Sequence, residues 1–239
     1  MGYIKLSGRM KAVADMVIPG GVVADIGCDH AFVSIYLIEN NISPHVIASD
    51  VRKGPVSIAK SNVESRSLTD RIDVRQGDGL KTLSAGEADT IVIAGMGGML
   101  MIDILKKDEE VASTCRQLIL QPQSDIDKVR RYLADSGYFT ENEDMLIDDG
   151  KYYNILDVRT SGETLLHDEN FDLYCKFGKY LLENKNGILR DYMEKQYKVN
   201  SGILHGLKDV DTENAKSRLA AIKNEQSMIL AAFEKFYSD

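Results

Sequence analysis

The 239-residue chain has little of what marks several broad classes of protein. Its three cysteines, Cys28, Cys115 and Cys175, are odd in number and scattered, with no Cys-x-x-Cys pair and no Cys/His spacing. That pattern argues against a disulfide framework and against a zinc site, and it fits a reducing cytoplasm. No stretch approaches the roughly 18 uninterrupted apolar residues of a membrane span. The first nine residues hold Lys5 and Arg9 but no apolar core of a secretory leader, so neither span nor leader is expected. A cationic excess is also missing: 29 Lys and Arg face 37 Asp and Glu, for a net charge of −8. Nonspecific coating of nucleic acid or of an anionic membrane does not fit that balance, although a local basic patch does.

What is present is a chain 44% hydrophobic, long enough for one full α/β domain and a smaller appendage. Leu6, Met10, Val13, Met16 and Val17 fall at helical spacing, and Pro19-Gly20-Gly21 ends that helix. Short β-type runs then alternate with helical patterns: Val22 to Ile26, Val46 to Ala48, Ile72 to Val74, Ile91 to Ala94 and Gln117 to Leu120. Such alternation predicts a parallel sheet covered by helices on both faces. Tyr138 to Leu146 and Tyr152 to Arg159 read as two further strands joined through Asp148-Asp149-Gly150, an antiparallel hairpin that closes the sheet. This order points to a Rossmann-like methyltransferase sheet rather than a dehydrogenase sheet.

After Ser161-Gly162 the composition changes. Tyr174, Phe177, Leu181, Ile188 and Tyr192 form one helical apolar stripe, and Leu219, Ile222, Ile229, Phe233 and Phe236 form another, with the polar Gln226 at a core position. Gly202 to Gly206 lies between them. The expected architecture is a sheet domain over residues 1–163 and a coiled-coil-like helical hairpin over residues 164–239.

The residues that carry chemistry sit where strands end. Asp25-Ile26-Gly27-Cys28-Asp29-His30 follows the first strand, where a glycine lets the backbone approach a ligand in the crevice beyond the strand ends. The three-glycine nicotinamide fingerprint is absent. Asp25-x-Gly27 with the polar Asp29 suits S-adenosylmethionine better, whose amino-acid part carries an ammonium group. Asp50 closes the second strand, at the place from which a carboxylate accepts hydrogen bonds from ribose hydroxyls; a helix cap is the plainer alternative. Gly77-Asp78-Gly79 follows the third strand, where Asp78 can take the adenine amino group. Gly95-Met96-Gly97-Gly98 ends the fourth, a loop nearly bare of side chains that can pass close to the methyl donor or an incoming base. The Asn/Asp-Pro-Pro-aromatic sequence of many amino-group methyltransferases is missing there, which fits an acceptor with its own lone pair.

Together, Ala24-Asp25-Ile26-Gly27-Cys28-Asp29-His30-Ala31, Lys53-Gly54-Pro55, Gly77-Asp78-Gly79-Leu80, Gly95-Met96-Gly97-Gly98, Leu118-Ile119-Leu120-Gln121-Pro122 and Lys151-Tyr152-Tyr153 resemble the bacterial TrmK family. The resemblance runs from about Leu6 to the chain end. It implies an S-adenosylmethionine-dependent tRNA methyltransferase acting on N1 of adenine 22, with a class I methyltransferase domain followed by a coiled-coil-like domain. Cys28 departs from an expected small residue such as serine, and Gln123 from an expected asparagine.

An adenine N1 on the Watson–Crick edge must be splayed out before it can be alkylated. Tyr152 and Tyr153 are candidate stackers, and Phe32 is expected chiefly in the core. Asp29 and His30 are candidates to contact the base or take up its proton, so Asp29, His30 and Tyr153 form the expected catalytic set. Against the acidic background, tRNA is expected to meet a patch drawn from Lys5, Arg9, Arg52, Lys53 and Arg130, the last within the Lys128, Arg130, Arg131 cluster. The run from Glu141 to Asp149 should lie off the RNA path. No metal is required, and a monomer is expected. A small-molecule methyltransferase and a noncatalytic S-adenosylmethionine-binding protein are the competing readings.

Overall fold

A computed structural model describes residues 4–160, 168–206 and 212–238. The chain divides into two compact units, Met1–Asp168 and Glu169–Asp239. The expected boundary at 163 falls outside the described residues.

The first unit is built on seven strands: β1 (Val23–Ile26), β2 (Val46–Asp50), β3 (Ile72–Gln76), β4 (Thr90–Met96), β5 (Gln117–Pro122), β6 (Phe139–Asp148) and β7 (Lys151–Arg159). Their order is β3-β2-β1-β4-β5-β7-β6. The first five pair in parallel, and β7 pairs antiparallel with both β5 and β6. Among the described residues six helices accompany them: α1 (Gly8–Asp15), α2 (Phe32–Glu39), α3 (Lys53–Ser65), α4 (Gly98–Lys107), the short α5 (Glu109–Ala112) and α6 (Ile126–Asp135).

Two apolar layers explain why the central strands read as unbroken hydrophobic runs. Ala24, Ile26, Ile91, Ile93, Leu118 and Leu120 join the layer that also holds Met101, Leu105, Val129 and Leu133 of α4 and α6. Their alternates Val23, Val46, Val92 and Ile119 join the layer with Val13, Ile35, Ile38 and Val63 of α1, α2 and α3. Asp25 is the polar exception in β1, and it is only 5% exposed. The β6–β7 turn places Asp149 at φ +49° and Gly150 at φ +72°, the two left-handed residues that a tight hairpin of matching twist requires.

In the second unit the first expected stripe is not one helix. Tyr174 and Phe177 lie on α7 (Phe171–Phe177), Leu181 on α8 (Lys179–Glu183), and Ile188 and Tyr192 on α9 (Gly187–Gly206). Gly178 at φ +93° and Lys185 at φ +47° break the path. On α9 the buried residues are Leu189, Met193 and Asn200, one step along from the predicted Ile188 and Tyr192. On α10 (Glu213–Ala232), Ala215, Ile222 and Ile229 are buried at heptad steps. Asn200 Nδ2 donates to Glu225 at 3.1 Å, and Gln226 Nε2 donates to Ser201 Oγ at 2.8 Å. Tyr237 Oη donates to the Asn186 carbonyl at 3.0 Å, so positions rising from 186 to 201 meet positions falling from 237 to 226, an antiparallel pair. A wider helical turn over Phe233–Tyr237 follows.

Candidate active site

β1 pairs with β2 on one side and β4 on the other, so the strand order reverses at β1 and leaves a crevice over the strand ends. A cleft of about 720 Å³ opens there.

At the end of β1, Asp25 faces this cleft and its Oδ2 accepts from Ser34 Oγ at 2.6 Å. Burial pushes its pKa up to about 6 against the Ser34 hydrogen bond, and the Asp50 charge adds to the rise. Gly27 has φ +73°, and a Cβ on it would fall 2.2 Å from Met96 Cε, so the glycine serves both the turn and the close approach of β4. Its N–H and that of Cys28 both donate to Ser49 O, at 2.7 and 2.9 Å. The Cys28 thiol is driven well above its ordinary value by burial, then by the charges of Asp25, Asp50 and Asp29.

Asp29 is in the left-handed region at φ +50°, while the residue ahead of α2 is Ala31, which makes no side-chain cap. The Asp29 carboxylate is therefore left in the cleft, 3.8 Å from His30 Nε2 and 3.6 Å from Arg52 Nη2. The His30 carbonyl accepts from Asn62 Nδ2 at 2.9 Å. Phe32 is not a core residue: 45% exposed, it lines the cleft and meets the His30 ring edge-on at 5.5 Å.

Asp50 is buried at the end of β2, its Oδ1 accepting from the Arg52 N–H at 2.9 Å and from Arg52 Nε at 3.3 Å. It does not cap α3, whose preceding residue is Arg52. Asp78 is exposed beyond β3, and Gly79, at φ +58°, begins a single 3₁₀ turn anchored by the fully buried Leu80.

The glycine-rich end of β4 divides its labour. Gly95 and Met96 line the cleft. Gly97 does not; it precedes α4 as its cap residue. Gly98 is a packing glycine, since a Cβ there would lie 2.3 Å from the Ser124 carbonyl oxygen.

Of the expected RNA contacts, Lys5, Arg9 and Arg52 line the cleft, and Lys53 is exposed at the start of α3. Arg130 is a correction: it is buried, its Nε donating to Glu143 Oε1 at 2.7 Å and its Nη2 to Asn154 Oδ1 at 3.3 Å. It holds α6 to the hairpin and is not available to a phosphate. Glu143 thereby leaves the expected acidic run, as does Asp148, whose Oδ2 accepts from the Arg9 N–H at 3.0 Å. Tyr153 is a second correction, because neither it nor Tyr152 lines the cleft, and the Tyr153 ring is covered by the Arg9 guanidinium at 5.0 Å.

Ser34, Val51 and Leu100 escaped the sequence reading, and Gln121 entered it only within the Leu118–Pro122 motif, with no role assigned. Ser34 left a trace, as a polar residue inside the apolar run Phe32-Val33-Ser34-Ile35.

The cleft fits S-adenosylmethionine. Four carboxylates, Asp25, Asp29, Asp50 and Asp78, line it and match a ligand that carries two cationic centres and several hydrogen-bond donors. Among the described residues no group of His, Cys, Asp and Glu is placed to hold a metal ion, and no helix is long and apolar enough to cross a membrane.

Residues 6–156 match the family described as a methyltransferase domain. The chain is 32% identical to the tRNA (adenine(22)-N(1))-methyltransferase of Bacillus subtilis over 231 residues, covering 96% of this chain and 97% of that protein. The crystal structure of the B. subtilis m1A22 tRNA methyltransferase TrmK superposes with a TM-score of 0.87 at 32% identity, over 96% of this chain and 99% of that one. M. capricolum TrmK in complex with S-adenosyl-homocysteine gives 0.83 at 26% identity, over 97% and 99%. By sequence and by fold, then, the chain belongs to the TrmK family of methyltransferases.

Proposed function

We propose that this protein transfers the methyl group of S-adenosylmethionine to N1 of adenine 22 in tRNA, as a monomer in the cytoplasm. The observation that carries the reading is the match over 96% of the chain to the B. subtilis enzyme, which takes in the cleft and the helical unit alike.

The donor, when bound, supplies a methyl group on a positively charged sulfur. The adenine N1 lone pair forms the new N–C bond as the C–S bond breaks, the sulfur keeps that electron pair, and the charge passes to the adenine. The protein's task is alignment and exclusion of water. Asp50 accepts the ribose hydroxyls in place of Arg52, Asp25 draws the ammonium end, and Asp78 takes the adenine amino group. Gly27 allows the backbone to close on the donor, and Gly95 allows it to close on the incoming base. Asp29 and His30 stand at the open side of the cleft, where His30 can take the proton that the alkylated adenine releases. Phe32, exposed beside His30, takes over from Tyr153 as the platform for the splayed base. Lys5, Arg9, Arg52 and Lys53 supply the phosphate contacts.

The test is methyl transfer from labelled S-adenosylmethionine to unmodified tRNA, followed by nucleoside analysis. 1-Methyladenosine is expected with the native sequence and none with a transcript substituted at adenine 22. Calorimetric donor binding without transfer to any tRNA would overturn the proposal.

A further inference from the structure

β4 and β5 pair in register from Thr90 opposite Gln117 to Ala94 opposite Gln121, and then shift, so that Met96 stands opposite Pro122 and Gly95 is extra. A bulge of this kind removes one N–H from the strand ladder and turns the chain. Here the freed N–H of Gly95 donates to the side-chain oxygen of Gln121, at 3.1 Å. The same Oε1 accepts from Arg9 Nη1 at 2.5 Å, and Gln121 Nε2 donates to the Pro122 carbonyl at 3.1 Å, which fixes the amide's orientation. Gln121 is fully buried. Its one carbonyl therefore ties two walls of the cleft together, the Gly95–Met96 bend and the Arg9 guanidinium of α1.

The Arg9 side chain is held by neutral partners, while its backbone N–H donates to the Asp148 carboxylate at 3.0 Å. Its guanidinium lies between the Gln121 oxygen and the Tyr153 ring, and among the described residues no carboxylate pairs with it. Arg52, by contrast, faces Asp50 and Asp29, and Arg75 faces Asp73 and Glu87. In a cleft lined by four carboxylates, Arg9 is thus a fixed cation whose charge is left for a ligand. An anion held there suits a phosphate of the acceptor strand, and Arg presents it with a rigid planar fork.

We infer that Gln121 is a positioning residue for methyl transfer: through one buried carbonyl it sets the Gly95 bend and holds Arg9 as the anchor for a phosphate of the acceptor nucleotide. The inference rests on the function proposed above. It assigns Gln121 no contact with donor or base; it acts through Gly95 and Arg9.

The experiment compares the full-length wild type with Gln121→Met, Arg9→Met and the double variant. Steady-state kinetics on tRNA and calorimetry with S-adenosylmethionine are the readouts. Absence of transfer by the wild type would refute the proposed function itself. With the wild type active, Gln121→Met is expected to lose at least tenfold in kcat with donor affinity held within about twofold. Arg9→Met is expected to raise the KM for tRNA and to flatten its salt dependence by about one unit of log–log slope. The double variant should lose less than the product of the two single losses, because the two residues act as a unit. Unchanged kcat in a folded Gln121→Met, an equal loss of donor affinity, or strict multiplicativity would each overturn the inference. If Gln121→Met fails to fold, Arg9→Met alone decides, since it leaves Gly95 on Gln121: an unchanged KM with an unchanged salt slope refutes the anchor.

Discussion

Asp25 lets one buried carboxyl set two opposed properties. Its pKa, near 6 in the fold, lies above the ordinary 3.8, so the native state binds this proton more tightly than the unfolded chain does. Stability therefore falls as pH climbs from about 4 to about 6, and the penalty persists above that. Asp25→Asn removes the penalty and keeps an oxygen for Ser34, so at pH 7 it is expected to melt higher, with a gain on the order of 1–3 kcal/mol. The cationic donor prefers the ionised carboxylate, so wild-type donor affinity should drop between pH 7 and pH 5. In Asp25→Asn it should be weak and nearly flat, and a wild-type affinity independent of pH would contradict the placement. Cys28 shares this environment. With its thiol pushed up by burial and three carboxylates, it is expected to react with iodoacetamide at pH 8 at least ~10-fold more slowly than free cysteine, as peptide mapping of the native protein can measure. At this scale Asp25, Asp29, Asp50 and Asp78 were legible because each stands at a strand end, where chain order alone predicts the crevice. Gln121 stood in a motif but its role was not legible, because its side chain serves a bulge, and a one-residue shift between two strands leaves no mark in either strand's sequence.

Among the elements, those with the strongest local pattern were the ones that could be read. The central strands are buried on both faces and so appear as apolar runs, and Asp149-Gly150 encodes its own turn. Arg130 was misjudged because Lys128, Arg130 and Arg131 are adjacent in sequence but face different ways on α6: Lys128 pairs with Asp125 at 2.7 Å, whereas Arg130 turns inward to Glu143. The α7–α8 break was hidden for a related reason. Tyr174, Phe177 and Leu181 keep helical spacing through Gly178, so periodicity runs straight across a residue whose backbone has φ +93° and ψ +127°. Only glycine holds that conformation without strain. Gly178→Ala is therefore expected to cost about 1–3 kcal/mol, read as a lower urea midpoint in helical circular dichroism, with donor affinity unchanged because Gly178 lies outside the unit that bears the cleft. An unaltered midpoint would mean that α7 and α8 can join into one helix, as the stripe alone predicts.

For the molecule as a whole, the tension lies between a net charge of −8 and a polyanionic substrate. Residues 1–163 hold 18 Lys and Arg against 25 Asp and Glu, and residues 164–239 hold 11 against 12, so neither part is basic. The cleft carboxylates attract a small cationic donor and repel RNA, which makes the number of phosphate contacts, not the overall field, decide how tightly tRNA binds. With Arg130 buried, Lys5, Arg9, Arg52 and Lys53 remain of the expected set on the cleft-bearing unit. Each neutralised phosphate contributes about 0.7–0.9 to the slope of log affinity against log salt, so four cations give a slope of about −3 to −4. Filter binding of tRNA across a salt series, with donor present, measures it directly. A slope in that range, falling by about one unit in Lys53→Met, is the expected result. A clearly steeper slope that ignores substitution of all four would place the RNA on cations elsewhere, with Lys195 and Lys198 of α9, both directed to sequence positions the hairpin exposes, as the next residues to replace.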